Sequence, residues 1–173
     1  MIWRWLVVIL VGVLAGLWEV AVVPFLPPEL SFHPLLPLAV LLLVSSIRGR
    51  AFGMLIAGAL VLDTYGWAHV DVAMLRLTLV LLVLDLVSLR FLTNRSVYAS
   101  VTLVLIGRIL DWFGSMILST LGGWLDPSRY PWQLPVEPWW ILAWDAASVT
   151  IGFLLLAAFT RRFVTLGQRD RAF

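Results

Sequence analysis

Charged side chains embedded in apolar runs are the residues of this chain with the clearest chemical potential. Arg76 and Arg108 interrupt long stretches of Leu, Val and Ile, and Asp63, Asp85, Asp111 and Asp145 do the same, in a 173-residue sequence that is 62% hydrophobic. In hydrocarbon an ionised side chain costs at least ~3 kcal/mol by insertion scales, so such groups persist where they face other helices, a wet cavity or the interface. Three kinds of chemistry use them: a carboxylate pair for hydrolysis, a ligand or ion site, and ion pairs that hold helices together.

Spacing sorts these residues by face. Ser100, Gly107, Arg108, Asp111, Ser115 and Ser119 recur at steps of three, four and seven, which places them on one stripe of a helix. Arg108 and Asp111 are three apart and are expected to pair along that helix, which lowers the cost of burying either. Asp145, Ser148 and Gly152 repeat the pattern further on. Arg76 and Asp85, nine residues apart, fall on opposite faces of their helix. Two outcomes are expected: Arg76 snorkels to the outer interface, or one of the two residues faces another subunit, with Asp85 the residue open to a partner.

Hydrolytic and metal chemistry find little to work with. Asp111 and Asp145 have matching depth for an aspartyl dyad, but Arg108 beside them favours ionisation of both, whereas such a dyad shares a proton. His33 and His69 both fall in predicted loops, with no serine or cysteine placed as a triad partner. Cysteine is absent, which excludes disulfides, thiolate metal sites and thiol nucleophiles. Phosphate-cradling glycine loops are absent as well. A non-enzymatic protein without cofactor or metal is expected.

The elements that must position these charges are membrane spans. Mean hydropathy is +1.00 and only 13% of residues are charged, against about 25% in a soluble domain. A crossing helix needs ~20 apolar residues. Six segments are predicted: Trp3 to Phe25, Ser31 to Ile47, Ala51 to Gly66, Val72 to Leu92, Val97 to Leu121 and Pro138 to Thr160. The second is marginal, because its uninterrupted run from Leu35 to Ile47 is short. The first follows Met1, has Arg4 near its start and no small-residue cleavage site before Pro24, and is expected to be retained. The stretch Gly122 to Glu137 is too short to fold alone, so residues 1–173 are expected to form one all-α integral membrane domain.

Arginine placement fixes the expected orientation. With six crossings, Arg4, Arg48, Arg50, Arg90, Arg95, Arg161, Arg162, Arg169 and Arg171 fall on one side and only Arg129 on the other. That asymmetry places both termini in the cytoplasm. Glu29, Asp71, Asp126 and Glu137 then lie in the outer loops. Trp18, Trp67, Trp124, Trp132, Trp139 and Trp140 form an outer aromatic belt, with Trp3 and Trp5 at the inner boundary. Counting ~1.5 Å per residue from the helix ends, Glu19, Asp63, Arg76, Asp111 and Asp145 share the outer half of the bilayer above Arg108. These six residues are the predicted intramembrane polar cluster, structural or ligand-binding. Gly12 with Gly16, and Gly53 with Ala57 and Gly58, supply narrow faces for close helix approach.

Dispersal of the arginines at helix ends argues against a nucleic-acid partner. The basic C-terminal tail is suited to anionic lipid. Oligomeric state, monomer or homodimer, is left open by the pattern.

The stretch from Gly53 to Gly66, GMLIAGALVLDTYG, resembles the third-helix segment of the rod-shape protein family MreD, in which a Gly-rich apolar helix ends in Leu-Asp followed by a small or polar turn. The six spans, the short Arg-bearing cytoplasmic turns and the basic C-terminus are similar to that family as well, best from about Leu35 to Leu121. The Trp- and Pro-rich segment from Trp124 to Trp140 departs from it. The resemblance implies a scaffold of the bacterial elongation machinery in the cytoplasmic membrane, supporting peptidoglycan synthesis and cell shape. Its partners would be the single-span protein MreC and, through it, RodA, a class B penicillin-binding protein and MreB. It also implies a six-helix fold similar to the substrate-binding subunits of energy-coupling-factor vitamin transporters. Asp63 is the motif residue it carries over. The other reading is a small-solute-binding subunit of such a transporter, in which Asp63, Arg108, Asp111 and Asp145 would surround an outward-open pocket.

Overall fold

The computed structural model describes residues 2–45, 47–65, 73–91, 96–125 and 139–169, and these form six α-helices with no strand among them. They are α1 (Ile2–Ala21), α2 (Leu35–Val44), α3 (Arg48–Tyr65), α4 (Ala73–Phe91), α5 (Val97–Leu125) and α6 (Trp139–Arg169), with two 3₁₀ turns, Val23–Phe25 and Pro28–Leu30, between α1 and α2. Each helix lies where an apolar segment was predicted, and the boundaries differ in informative ways. α5 continues through Gly122 and Gly123 to Leu125, and α6 runs well past the predicted end at Thr160. Pro24 sits in the first turn of a 3₁₀ segment, so α1 itself stops before the predicted Phe25.

Among the described residues, three helical stretches are long and apolar enough to cross a membrane: Ile2–Phe25, Val97–Leu121 and Trp139–Ala158. That is the make-up of a multi-pass membrane protein, and the surface agrees. Leu6, Leu10 and Leu14 on α1, Leu75, Leu79 and Leu82 on α4, Ile117 on α5 and Leu154 on α6 all stand exposed. Such broad apolar faces suit a hydrocarbon solvent far better than water.

α2 is the largest departure from the predicted segments. Residues 31–34 are not helical, and the remaining ten-residue helix is about 15 Å long, half of a ~30 Å hydrocarbon core. Leu35, Leu36, Pro37, Ala39, Val40, Leu41 and Leu43 are all buried. α2 touches α1, α3, α4, α5 and α6 and forms the axis around which they pack. A helix apolar on every side belongs in a protein interior. Pro37 is tolerated because it lies in the first turn, where its missing N–H has no intrahelical acceptor. At the other end the Ser45 hydroxyl donates to Leu41 O at 2.7 Å, and α3 begins at Arg48.

Glycines set the closest approach, between α1 and α3. A Cβ at Gly12 would collide with the Met54 carbonyl oxygen, one at Gly16 would lie 2.5 Å from Gly58 O, and one at Gly58 would collide with Leu35 Cδ1. Small residues at these positions let the two backbones touch while α2 presses in from the side.

Contacts along the helices give their directions. Trp5 meets α3 at Gly53 and Gly16 meets it at Gly58, so α1 and α3 run parallel. Arg48 reaches Asp85 while Asp63 reaches Ala73, so α3 and α4 are antiparallel. Leu84 packs on Gly107 and Arg76 on Gly114, which makes α4 and α5 antiparallel, and Leu41 packs on Gly152 of α6. Helix direction therefore alternates along the chain. The N-terminus of α1, the α2–α3 turn and the C-terminal part of α6 gather at one end, with Arg4, Arg48, Arg50 and Arg90. Glu19, Glu29 and Asp63 stand toward the other.

Candidate functional site

Four of the predicted cluster residues form a continuous ionic chain across α4, α5 and α6. Arg76 Nε lies 2.7 Å from Asp111 Oδ1. Asp111 Oδ2 lies 3.6 Å from Arg108 Nη1, one helical turn below it. Arg108 Nε donates to Asp145 Oδ2 at 2.7 Å. The order is cation, anion, cation, anion, with zero net formal charge. Burial deepens along it, from a side-chain exposure of 14% at Arg76 to 1% at Asp145.

The local sequence explains the alignment. Ala99, Ser100, Leu103, Val104, Gly107, Arg108 and Asp111 are the buried positions of α5 among the described residues, so the predicted stripe faces inward from Ser100 to Asp111, while Ser115 and Ser119 are half-buried like their neighbours. Gly107 admits Leu84 and Leu36 against the α5 backbone, and Gly114 lies against the aliphatic part of Arg76. That second contact lays the Arg76 stem along α5 and brings its guanidinium back to Asp111, one turn below. Arg76 therefore does not snorkel outward. α4 lies between α3 and α5, so its two charged faces have different neighbours within the same chain. Arg76 serves the α5 side, and Asp85, read from sequence as open to a partner, has its Oδ1 3.1 Å from Arg48 Nε of α3.

Glu19 and Asp63 do other work. Glu19 Oε1 accepts from the Leu35 N–H at 2.9 Å and Oε2 lies 3.7 Å from His33 Nδ1, so a side chain of α1 caps the start of α2. Asp63 accepts from the N–H groups of Ala73 at 2.6 Å and Met74 at 3.1 Å, which caps α4 from the end of α3. Both carboxylates meet the unsatisfied donors and positive dipole end of a helix N-terminus. Glu19 and His33 remain within electrostatic reach of Asp145, whereas Asp63 is exposed and stands apart from the four-residue chain.

Sequence reasoning missed Arg48, His33, Trp18 and Trp144. Trp18 Nε1 donates to Phe32 O at 3.1 Å and Trp144 Nε1 to Glu29 O at 2.8 Å, fastening the α1–α2 connection over the N-terminal end of α6. Trp18 had a signal only for the aromatic belt, and its second role needed a loop carbonyl whose position no sequence pattern states. Trp67, His69, Arg95, Arg129, Trp132 and the acidic residues Asp71, Asp126 and Glu137 lie outside the described residues.

The cavity beside the ionic chain has a volume of about 310 Å³ and lies in the seam between α4 and α5, lined by Leu79, Val83, Phe113 and Ile117 among others. Arg76 is the one member of the ionic chain in its wall. Asp111, Arg108 and Asp145 turn toward one another instead. Among the described residues no group of three or more His, Cys, Asp or Glu side chains is arranged to hold a metal ion. No known family, curated protein or solved structure matches this chain.

Proposed function

We propose that this chain is a six-crossing protein of the bacterial cytoplasmic membrane, with both termini inside, and that it acts as a non-enzymatic scaffold of the MreD kind. In this role it binds an MreC-like single-span protein and, through it, the RodA, class B penicillin-binding and MreB components that build the lateral wall. The Gly53 to Gly66 segment carries the family likeness, and the helix it forms ends in the Asp63 cap described above. One observation carries the scaffold reading: the buried charges neutralise each other across three helices, while the outward faces of α1, α4, α5 and α6 are broadly apolar. Polar chemistry is spent on holding the bundle together, which leaves apolar faces for partner spans.

A solute-binding subunit would turn those charges into a cavity. The cavity described above, in the α4–α5 seam, is apolar and takes in only Arg76 of the four. Alternating helix direction and the gathering of arginines at one end support six crossings even though α2 is short. Its ends lie level with Glu19 and, through the α2–α3 turn, with Trp5 of α1, a separation of about 21 Å along that helix. Neighbours that thin the bilayer locally accommodate such a length.

Affinity purification of the tagged chain from its native membrane, with identification of the bound proteins, tests the proposal. Recovery of a single-span cell-wall protein, lost when exposed apolar residues of one outward helix face are replaced, is the expected result. Reproducible absence of any cell-wall component overturns it.

A further inference from the structure

We propose that the seam between α4 and α5 docks a membrane-spanning helix of a partner protein, and that this helix carries an Asp or Glu at the depth of Arg76. The proposal rests on the reading of the chain as a scaffold for partner spans and deepens it, by naming the docking surface and the chemistry of the partner.

The α4–α5 cavity is a groove that follows the helices. Its walls run from Leu75 to Val83 on α4 and from Leu110 to Leu118 on α5, a rise of about 12 Å on each. The volume of about 310 Å³, spread over ~12 Å, gives a mean cross-section of roughly 26 Å², about 5 Å across, whereas a helix with its side chains is ~10–12 Å wide. The backbone of a docked helix therefore stays outside, and one row of its side chains enters. Side chains at i, i+4 and i+7 span about 10.5 Å, which matches the length of the groove. Leu75 and Leu79 on one wall, and Phe113 and Ile117 on the other, are exposed and would flank a helix seated there.

Charge selects the occupant. The ionic chain starts at Arg76 and ends at Asp145, so its positive end lies in the groove wall, 14% exposed, while its negative end is buried away from the groove. The guanidinium of Arg76 meets Asp111, which lies about 15 Å from Leu121 and about 21 Å from Val97, the two ends of the crossing stretch of α5. Lipid phosphate and ester oxygens stay outside the hydrocarbon core, so an acyl chain could fill the groove but brings no acceptor to that depth. Among the described residues a second copy of this chain brings none either. Its Asp111 and Asp145 are held in the ionic chain, Asp85 is held by Arg48, and Glu19 and Asp63 cap helices. Twofold pairing through the seam would also set Arg76 against Arg76. A partner span with a carboxylate supplies both the row of side chains and the missing sign. A guanidinium has five N–H donors in a planar fork, so Arg76 can bridge Asp111 and a second carboxylate. Charges then continue to alternate by one more member.

Photocrosslinking tests this. The full chain, in its native membrane, carries p-benzoylphenylalanine in place of Leu79 or Ile117 in the groove, or of Leu10 on α1 or Leu154 on α6 as controls. After irradiation the crosslinked peptides are identified by mass spectrometry. The expected result is one protein adduct, formed from both groove positions and from neither control, that maps to a membrane-spanning segment containing Asp or Glu. With the probe at Ile117, Arg76→Gln should lower the adduct yield about ten-fold. Leu79→Trp narrows the groove from an exposed position outside the ionic chain, and should do the same even where Arg76→Gln reduces the amount of folded protein. Adducts with lipid alone, with a second copy of this chain or with a span lacking Asp and Glu overturn the proposal, as does a yield that Leu79→Trp leaves unchanged. The two readings fail separately. An acidic span from a protein with no part in wall synthesis supports the docking site and overturns the wall assignment, whereas a cell-wall protein captured only from Leu10 or Leu154 overturns the docking site alone.

Discussion

At the residue scale, Arg108 is the pivot, because it lies between two carboxylates and one of them has no other described hydrogen-bond donor. Asp145 is fully buried, its Oδ2 takes the Arg108 Nε–H, and its Oδ1 has no hydrogen-bond partner among the described residues. Removing one member of a buried pair leaves an uncompensated charge and costs about 3 to 5 kcal/mol, whereas replacing both by apolar residues of similar volume is often neutral. Arg108→Gln and Asp145→Leu are each expected to lower unfolding stability in detergent by that amount. The double variant Arg108→Met with Asp145→Leu should recover most of it, since Arg76 and Asp111 still neutralise each other at 2.7 Å. A double-mutant cycle by thermal unfolding measures the coupling, and additive losses would show that the pair contributes nothing as a pair. Asp63 makes a smaller and separable contribution. Asp63→Ala removes the acceptor of two N–H groups at the start of α4 and is expected to lose about 1 kcal/mol in the same assay.

At the element scale, α1 and α3 are held at a separation only glycine permits. A methyl group on Gly12 or Gly58 meets backbone or Leu35 with no room, while one on Gly49 meets the Trp5 ring at 3.5 Å, an ordinary van der Waals distance. Gly12→Ala and Gly58→Ala are therefore expected to destabilise the bundle by about 1 to 3 kcal/mol, and Gly49→Ala to leave it within experimental error. Equal unfolding temperatures for all three variants would refute the close contact. These glycines were legible in the sequence as small-residue steps, but their partner helix was not, because periodicity states which residues share a face and never which neighbour covers it. The same limit explains α2 and α4. A short wholly apolar run reads the same whether it crosses lipid or fills a protein core, and only packing revealed that α2 fills the core. For α4, Arg76 and Asp85 were correctly placed on opposite faces, yet sequence could not say that α5 and α3 flank those faces with Asp111 and Arg48. The inward stripe of α5, by contrast, was legible from Ser100 to Asp111, because polar or small residues at helical spacing leave one face that hydrocarbon will not accept, whereas Ser115 and Ser119 are no more buried than their neighbours.

At the scale of the whole molecule, two independent asymmetries coincide. Arginine distribution divides the chain into a basic and an acidic set of turns, and among the described residues helix direction, read from side-chain contacts that include few of those arginines, puts Arg4, Arg48, Arg50 and Arg90 at one end and Glu19, Glu29 and Asp63 at the other. If both report the orientation in the membrane, the start of α3, with Arg48 and Arg50, faces the cytoplasm although only the short α2 separates it from the outer loop. The loop carrying Glu29, tied to Trp144, then faces outward. The consequence is specific to α2. Alkaline phosphatase, active only outside the cytoplasm, should be inactive when fused after Arg50 and active when fused after Glu29, and a green fluorescent protein fusion should show the reverse. Were α2 a re-entrant core helix that returns to the side it left, both junctions would report the same side. The fusion pair decides between these outcomes because α1 and α3 run parallel in the bundle. Two parallel neighbours in one chain need an intervening passage in the opposite sense, and α2 with its flanking turns is the segment that provides it.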